Sequence, residues 1–411
     1  MLQYEEALAR VLAAVPAAVS ERIALADADG RVVAERILSP IDLPPFDNSA
    51  MDGYAVRAAD VAMATSEHPG RLRLTRRVAA GENFSGELTP GTCVRLFTGS
   101  PLPGGADAVV MQEDTRAEPA RLNEILILDG VKPWENVRFH GEDIKRGLPI
   151  ANSGDILNVG RVALLAATGC PEVSVFRRPL VGILATGSEL KEPGQPLAPG
   201  QIYESNRISL AALVRKAGGI ARIYPLVTDA LDATRRALVE AFGECDLVIS
   251  SGGVSVGEMD FIKQAFSELG GELQFWKVAI KPGRPFVFGQ FPASDSQRAT
   301  SGHKLFFGLP GNPISAFVTF LLLVRPAILR WQGASDVALP SHPATLAEPL
   351  ENQGERRHFM RVRITPDGKV YSAGIQASHI LSSLAAANGL VDAPPQKTLP
   401  AGTTVQVIRW E

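Results

Sequence analysis

The segment from Asp246 to Asp260, DLVISSGGVSVGEMD, constrains the fold of this chain more than any other. An apolar run leads directly into serines and glycines, and acidic residues follow. This pattern predicts a buried strand whose carboxyl end opens into a tight loop, which is where open α/β sheets bind ligands. Backbone N–H groups in such a loop bind anions, and carboxylates bind cations. We therefore expect a ligand that carries phosphate together with a metal ion.

Length and charge restrict the classes of protein to which this chain can belong. The chain has 411 residues, of which 45% are hydrophobic, and a formal net charge of −3. That length is too great for one ordinary core, so several domains are predicted. The small negative charge offers no basic surface for nucleic acid and no polybasic anchor for a membrane. Any anionic ligand must be bound by a local cluster of cations.

The cysteines and the N-terminal segment predict a cytoplasmic protein. Cys93, Cys170 and Cys245 lie far apart and lack the spacing of metal ligands, which is typical of buried thiols in a reducing compartment. Glu5 and Glu6 stand where an export signal would be basic, so no export signal is expected.

The most apolar run extends from Ile314 to Val324 and stops at Arg325-Pro326 after about a dozen residues. A helix that crosses a bilayer needs ~20 apolar residues. The run therefore predicts a buried helix, and no membrane partner is expected.

The pattern of apolar runs divides the chain into three regions. Short β-like runs separated by glycine and proline fill most of an N-terminal region, residues 1–176. Strands and helices alternate over residues 177–331, which is typical of a parallel sheet with crossover helices. Residues 338–411 return to strand-like runs. We predict a multidomain fold in which a central doubly wound α/β domain is flanked by mostly β regions.

In the central region the apolar runs LVGILA, ARIYPLV, DLVIS and KLFFG each end in residues that can bind a ligand. If these strands are all parallel, the loops that follow them converge on one edge of the sheet. That edge would carry the carboxylates of Glu189, Asp229, Glu258 and Asp260 beside the glycines. Crowded carboxylates repel one another unless a cation lies among them, and oxygen ligands of this kind favour Mg²⁺.

A basic group follows in FWKVAIKPGRP, which contains Lys277, Lys281 and Arg284. The two lysines are predicted to lie on a strand or at its exit, where an even separation places both ammonium groups on one face. Cations on one side of a cleft, with carboxylates and a metal on the other, suit a polyanionic ligand.

Each of these residues also has a structural interpretation. Asp229 alone is typical of a helix cap, and Glu258 of an acid in the first turn of a helix. Lys277 and Lys281 are typical of charges that protect an edge strand from aggregation. The convergence of all these residues on one sheet edge favours a binding site.

Eight ordered segments spread over nearly the whole chain resemble one protein family. They are PPFDNSAMDGYAVR, LFTGSPLPGGADAVV, GEDIKRG, ATGSEL, SSGGVSVGEMDF, FWKVAIKPGRP, GLPGNPISAF and GIQASHILSSLAAANGLV. Together they are similar to the molybdopterin molybdenumtransferases, the MoeA-type molybdenum insertases that also occur as the E-domain of gephyrin.

The resemblance implies an enzyme of molybdenum cofactor biosynthesis. Such an enzyme takes adenylylated molybdopterin and molybdate as substrates, inserts the metal into the dithiolene, and releases AMP with the help of Mg²⁺. The family fold is an elongated homodimer with two interleaved N-terminal domains, a molybdopterin-binding α/β domain and a C-terminal β-barrel-like domain. In this chain the resemblance implies a mostly β insertion at about residues 47–145. The cleft of the family lies between the α/β domain of one subunit and an N-terminal domain of the other.

The family motifs map onto specific positions of this chain. They imply catalytic roles for Asp52, Asp143, Glu189, Asp229 and Asp260, with Glu189, Asp229 and Asp260 as metal ligands. The predicted substrate-binding residues are Thr98, Ser251, Gly252, Gly253, Ser255, Lys277, Lys281, Pro310, Pro313, Arg356, Arg361 and Ser378, where Arg356 and Arg361 are alternatives for one tail position. Two positions depart from the family pattern, because Ser188 stands where an acid is frequent and Arg284 where a lysine is frequent.

Two other functions are weighed against the insertase. A molybdopterin adenylyltransferase shares the SSGGVSVG type of loop but does not need the DNSAMDGYA segment, the GEDI motif or the tail. A dimeric scaffold without catalysis, like the gephyrin E-domain in its second role, does not need the charged residues to stay together. The expected partners are a second copy of the chain and, further, the molybdopterin adenylyltransferase and recipient molybdoenzymes.

Overall fold

The structure is a computed structural model, and it describes residues 1–79, 81–82, 86–118, 121, 123–253, 261–293 and 302–410. The predicted site residues Ser255 and Asp260, together with Glu258, lie outside the described residues.

Strands dominate the N-terminal region, as the sequence predicts. Its helices are α1 (Tyr4–Ala13), α2 (Ala58–Val61) and α3 (Val159–Ala167). Its strands are β1 (Ser20–Ala24), β2 (Ile37–Leu38), β3 (Asn48–Ser49), β4 (Gly53–Val56), β5 (Gly70–Val78), β6 (Thr92–Leu96), β7 (Ala108–Met111), β8 (Thr115–Ala117), β9 (Glu124–Ile127), β10 (Val137–Arg138), β11 (Pro149–Ala151) and β12 (Glu172–Phe176).

Two of the cores that these elements form bring distant segments together. One is the sheet β7-β4-β6-β5-β9-β8, which packs against α2 through residues such as Val61 and Leu72. In the other, β1 pairs with β12 and β2 with β11, next to α3. Cys93 is buried in the first core, and burial raises the pKa of its thiol to about 12, which fits the predicted role of a small apolar residue.

The central region alternates strands and helices. Its elements are β13 (Leu180–Ala185), β14 (Leu190–Lys191), β15 (Ile202–Tyr203), α4 (Asn206–Lys216), β16 (Ile220–Ile223), α5 (Leu231–Glu244), β17 (Leu247–Ser251), α6 (Phe261–Glu268), β18 (Glu272–Trp276), β19 (Ile280–Lys281), β20 (Val287–Pro292), β21 (His303–Leu309), α7 (Pro313–Thr319), a π-helical stretch (Phe320–Val324) and α8 (Arg325–Trp331).

The central sheet has the order β16-β13-β17-β21-β20-β18. The first four strands of that order are parallel, as the sequence predicts, and β20 runs antiparallel to its neighbours. Helix α4 packs on one face of the sheet and helices α5 and α6 on the other, so the sheet is doubly wound. The strand order reverses between β13 and β17, where ligands bind in folds of this type.

The apolar helix near residue 320 is a core element. By length and composition, one helix within the described residues, Pro313–Trp331, could cross a membrane, but 89% of its most apolar window is buried inside the protein. It extends through Pro326, beyond the end of the apolar run. A π-helical stretch precedes the proline, and such local widening is one way in which a helix accommodates a residue without an N–H donor.

The C-terminal region forms a closed barrel. Its elements are β22 (Ser341–Leu346), β23 (Leu350–Asn352), β24 (Arg357–Ile364), β25 (Lys369–Ser372), α9 (Leu381–Ala385), β26 (Gly389–Ala393), β27 (Lys397–Leu399) and β28 (Thr404–Ile408). The order β24-β25-β22-β28-β26 closes because β26 also pairs with β24. Strand β19 of the central region joins the barrel by pairing with β24, and this brings Lys281 opposite His358.

Candidate active site

A cavity of about 640 Å³ lies at the carboxyl edge of the central sheet. The loops after β13, β16 and β17 and the loop before α7 all line it, as predicted for parallel strands. We call it the glycine-loop cavity. Its wall contains Thr186, Gly187, Glu189, Tyr203, Glu204, Asn206, Asp229, Ser251, Gly252, Gly253, Asn312, Pro313 and His379.

The glycines after β17 allow two loops to approach closely. Gly252 and Gly253 have φ values of +86° and +64°, a backbone region that favours glycine. A Cβ atom on Gly252 would lie 2.7 Å from the carbonyl oxygen of Thr186. The two glycines therefore allow the loops after β13 and β17 to make close contact, and they also leave the floor of the cavity open.

Asn206 connects three segments of the cavity wall. It is the first residue of α4, and its Nδ2 donates to Ser251 Oγ over 2.7 Å and to the Gly311 carbonyl over 2.8 Å. The sequence suggests only a helix cap at Ser205 or Asn206, yet neither side chain caps α4. Asn206 bonds across the cavity because its side chain is buried against the other two loops.

Asp229 is not a helix cap. Helix α5 starts after Ala230, and the Asp229 carboxylate accepts a hydrogen bond from the Ser188 backbone N–H over 2.9 Å. The Asp229 N–H donates to Ser188 Oγ over 3.2 Å. Glu189 lies next to this pair in the same wall, so two of the predicted acids share one cavity.

The acids suit a metal ion that is shared with a phosphate. The described residues contain no group of three His, Cys, Asp or Glu side chains that could hold a metal on its own. Glu189 and Asp229 supply hard carboxylate oxygens at the cavity wall, and Mg²⁺ is usually bound by one or two carboxylates plus substrate phosphates. These residues fit that mode of binding.

A second cavity, of about 600 Å³, adjoins the first. We call it the basic cavity, since Lys281, Arg284 and Arg356 line it together with Ser378. Burial, and then the nearby charge of Arg284, lowers the pKa of the Arg356 guanidinium. Like charges gathered in one wall favour an anionic ligand. Asn312 and His379 line both cavities and mark their junction.

The structure distinguishes the two predicted arginines. Arg356 lines the basic cavity. Arg361 is fully buried, and it lines neither of the two cavities that the described residues form. Its guanidinium donates to the carbonyls of Ile375 and Ala377, the loop that leads to Ser378. Arg361 thus acts as a support for the loop.

The prediction that Lys277 and Lys281 share one face of a strand is wrong. The chain leaves β18 at Trp276, and Lys277 has φ +69°, so the alternation of side chains is interrupted. Lys281 lies in β19, which belongs to the barrel sheet. The Lys277 ammonium group lies 3.8 Å from the centroid of the Trp276 ring, and Lys277 lines neither described cavity.

Pro310 and Pro313 occupy different places in the GLPGNP loop. Pro313 lines the glycine-loop cavity as the first residue of α7. Pro310 is buried behind it, and its carbonyl lies 3.5 Å from Ser251 Oγ.

The predicted N-terminal residues lie apart from both cavities. Asp52 accepts hydrogen bonds from the N–H and hydroxyl of Thr98, each over 2.8 Å, and these bonds lower the pKa of the Asp52 carboxyl. Asp143 lines a third cavity of about 380 Å³ with Pro44, Arg138 and others. Within this chain's described residues, Asp52, Thr98 and Asp143 line neither of the first two cavities.

Several residues of the cavity wall could not be predicted from the sequence. Tyr203, Glu204 and Asn206 lie in QIYESN, a segment that carries no simple chemical motif. Glu204 is buried against Arg207, whose Nε donates to it over 3.0 Å. His379 follows the predicted Ser378, and that adjacency is the one signal that could have identified it.

Comparisons with known proteins identify the family of this chain. Sequence models of three families match in order: the MoeA N-terminal region (domain I and II) over residues 2–169, a probable molybdopterin binding domain over 182–330, and the MoeA C-terminal region (domain IV) over 343–410. The chain belongs to the MoeA family. The resemblance inferred from the motifs is therefore confirmed.

Relatives match over almost the full length. A molybdopterin molybdenumtransferase of Haemophilus influenzae is 38% identical, with 99% of this chain and 98% of the relative covered. Molybdopterin molybdenumtransferase 2 of Mycobacterium tuberculosis is 38% identical over 95% of this chain and 94% of the relative. The crystal structure of a molybdopterin biosynthesis MoeA protein from Pyrococcus horikoshii has a TM-score of 0.79 at 33% identity and covers 100% of both chains. The predicted multidomain fold is confirmed.

Proposed function

We propose that this protein is a transferase of molybdenum cofactor biosynthesis that inserts molybdenum from molybdate into adenylylated molybdopterin and releases AMP. The observation that supports this most directly is the junction of the two cavities. A glycine-lined, acidic cavity opens beside a basic one, and Asn312 and His379 belong to both walls. A nucleotide-tagged pterin and an oxyanion would therefore bind side by side.

The glycine-loop cavity would hold the nucleotide-tagged pterin. The glycines after β17 leave backbone space for the ligand, and Asn206 fixes that loop against Gly311. Glu189 and Asp229 would hold Mg²⁺ together with the phosphate oxygens, and Asp260 is proposed as a further ligand. When bound, Mg²⁺ supplies a Lewis acid that polarises the phosphoryl linkage.

The basic cavity would hold molybdate. Lys281, Arg284 and Arg356 supply positive charge, and the Ser378 hydroxyl supplies a hydrogen-bond donor. Arg356 is fixed in part by a bond from its guanidinium to the Ile280 carbonyl over 3.0 Å. Groups held in place before the ligand arrives stabilise a dianion without having to reorganise.

We further propose that a homodimer completes the site. Asp52, Thr98 and Asp143 would reach the cleft from a partner subunit, since in their own chain they line neither cavity.

The proposed region limits are 1–176, with an insertion at about 47–145, then 177–331 and 338–411. The proposed location is the cytoplasm, and the adenylyltransferase and recipient molybdoenzymes are the proposed further partners.

One experiment separates the insertase from its two rivals. The purified protein is incubated with adenylylated molybdopterin, with and without molybdate, in the presence of Mg²⁺. AMP release that requires molybdate supports the insertase. In a parallel incubation with molybdopterin and ATP, adenylylation of the pterin would indicate an adenylyltransferase. The absence of both reactions would indicate a scaffold. A sulfate-for-molybdate control tests whether any tetrahedral dianion suffices.

A further inference from the structure

We propose that His379 is a catalytic residue that moves protons during metal insertion; this inference rests on the function proposed above. His379 is the only ionisable residue, within the part of the chain that the structure describes, that lines both the glycine-loop cavity and the basic cavity. Asn312, which shares that position, cannot exchange protons near neutral pH. The imidazole therefore lies where the sulfur atoms of one substrate would meet the oxygen atoms of the other.

The loop that carries His379 is held from two sides. From the barrel, Arg361 donates to the carbonyls of Ile375 and Ala377 over 2.8 and 3.1 Å. From the central domain, the Ile314 N–H donates to the Ser378 carbonyl over 3.2 Å. The backbone before His379 is thus fixed relative to both cavities, although the imidazole itself is exposed. A fixed backbone with an accessible ring is what a proton carrier requires.

Insertion needs such a carrier, because the atoms balance only when protons move. Two S–H bonds of the dithiol and one metal–oxygen bond break. Two metal–sulfur bonds and two O–H bonds form, and the displaced oxygen leaves as water. No electrons are transferred to or from the metal. His379 would accept a proton from a thiol and deliver it to the departing oxygen, and a second transfer completes the water.

The charges around the imidazole suit this role. Carboxylates line the cavity on one side of it and cations line the cavity on the other, so the imidazole lies between groups of opposite charge. The charged groups in the two walls are Glu189, Glu204 and Asp229 on the first side, and Lys281, Arg284 and Arg356 on the second.

The test compares His379→Ala, His379→Gln and the control His342→Ala. His342 is an exposed histidine in β22 that lines neither cavity. With adenylylated molybdopterin and molybdate, His379→Ala should lower kcat by about 100-fold, in the range for loss of general acid–base catalysis, with little change in KM for either substrate. Added imidazole should restore part of the rate in His379→Ala but not in His379→Gln. The control should match the wild type.

The pH dependence of kcat gives an independent readout. The kcat of the wild type should depend on pH through the titration of one histidine, and that dependence should be absent from His379→Gln. Wild-type activity in His379→Ala, or a raised KM with unchanged kcat, would overturn the inference while leaving the insertase intact. If the wild type itself shows no molybdate-dependent reaction, it is the proposed function that fails.

Discussion

Ser188 and Asp229 hydrogen-bond to each other in both directions. The Ser188 N–H donates to the Asp229 carboxylate over 2.9 Å, and the Asp229 N–H donates to Ser188 Oγ over 3.2 Å. Their loops follow β13 and β16, which are neighbours in the central sheet. The pair therefore joins two loops and fixes one proposed metal ligand. It also gives Ser188 a role at a position where the family often has an acid.

The Asp229→Asn variant should keep the hydrogen bonds to Ser188 and bind Mg²⁺ more weakly. An asparagine oxygen can still accept from the Ser188 N–H, so we expect little change in the free energy of unfolding. Loss of the charge should weaken the apparent affinity for Mg²⁺ in AMP release by about tenfold to a hundredfold. Asp232→Asn is the control, since Asp232 lies in the first turn of α5, just after Asp229, and pairs with Arg235 on the surface. Equal Mg²⁺ dependence in both variants would contradict the assignment.

The Gly252→Ala variant should lower the free energy of unfolding by more than its control, Gly270→Ala, does. The two glycines have nearly the same φ, +86° and +87°, but a Cβ on Gly270 would meet nothing within 4 Å. The control should lose roughly 1–2 kcal/mol of stability from the left-handed backbone alone. Gly252→Ala adds the clash with the Thr186 carbonyl, so we expect a larger loss and weaker binding of the pterin nucleotide. Urea unfolding and pterin fluorescence titration measure the two effects; equal losses and equal binding would argue against a required close approach.

The Asn206→Ala variant should weaken both folding and binding. It leaves Ser251 Oγ and the Gly311 carbonyl without their amide donor. Ser251 is buried, and an unsatisfied buried group costs about 1–3 kcal/mol, whereas the exposed Gly311 can bond to water. Asn388→Ala is a matched control, because the Asn388 side chain also makes two hydrogen bonds, both to the Ile364 backbone in the barrel. Both variants should lose stability in urea, but only Asn206→Ala should bind the pterin nucleotide more weakly. A binding loss of the same size in Asn388→Ala would refute the specific role of Asn206.

Protonation of His358 should make the protein less stable in mild acid. Burial, together with the charges of Lys281, Arg361 and Arg356, lowers the pKa of this imidazole from 6.5 to about 4. Between these values the unfolded chain binds more protons than the folded one, so stability falls as the pH decreases from 6.5 to 4. The loss is at most about 3 kcal/mol. Urea unfolding at a series of pH values measures it.

Two variants identify the residue responsible for that loss. His358→Phe should remove this part of the pH dependence, and His342→Phe should leave it unchanged. A His358→Phe protein whose stability still falls to the same extent between pH 6.5 and 4 would show that another group titrates there.

The sequence was sufficient to predict the parallel strands of the central sheet and the edge at which the glycine-loop cavity lies. The period and the length of the apolar runs identified β13, β16, β17 and β21. Because the loops that follow parallel strands converge on one edge of the sheet, Glu189 and Asp229 were expected to lie there together. Lys277 was misplaced because side-chain alternation predicts a common face only while the chain stays in one strand. At Lys277 the backbone turns into the left-handed region and then enters another sheet.

The sequence by itself determined the parallel strands of the central sheet and the polar side chains that follow them, because these depend on local periodicity and side-chain chemistry. Only the tertiary structure decided that Arg356 lines a cavity while Arg361 supports a loop, and that Asn206 and His379 line the glycine-loop cavity. The positions of Arg356 and His379 depend on how the barrel packs against the central domain, and the position of Asn206 depends on how α4 packs against the loops after β17 and β21. Contacts between residues so far apart in the chain are set by packing of whole elements, which no local pattern encodes.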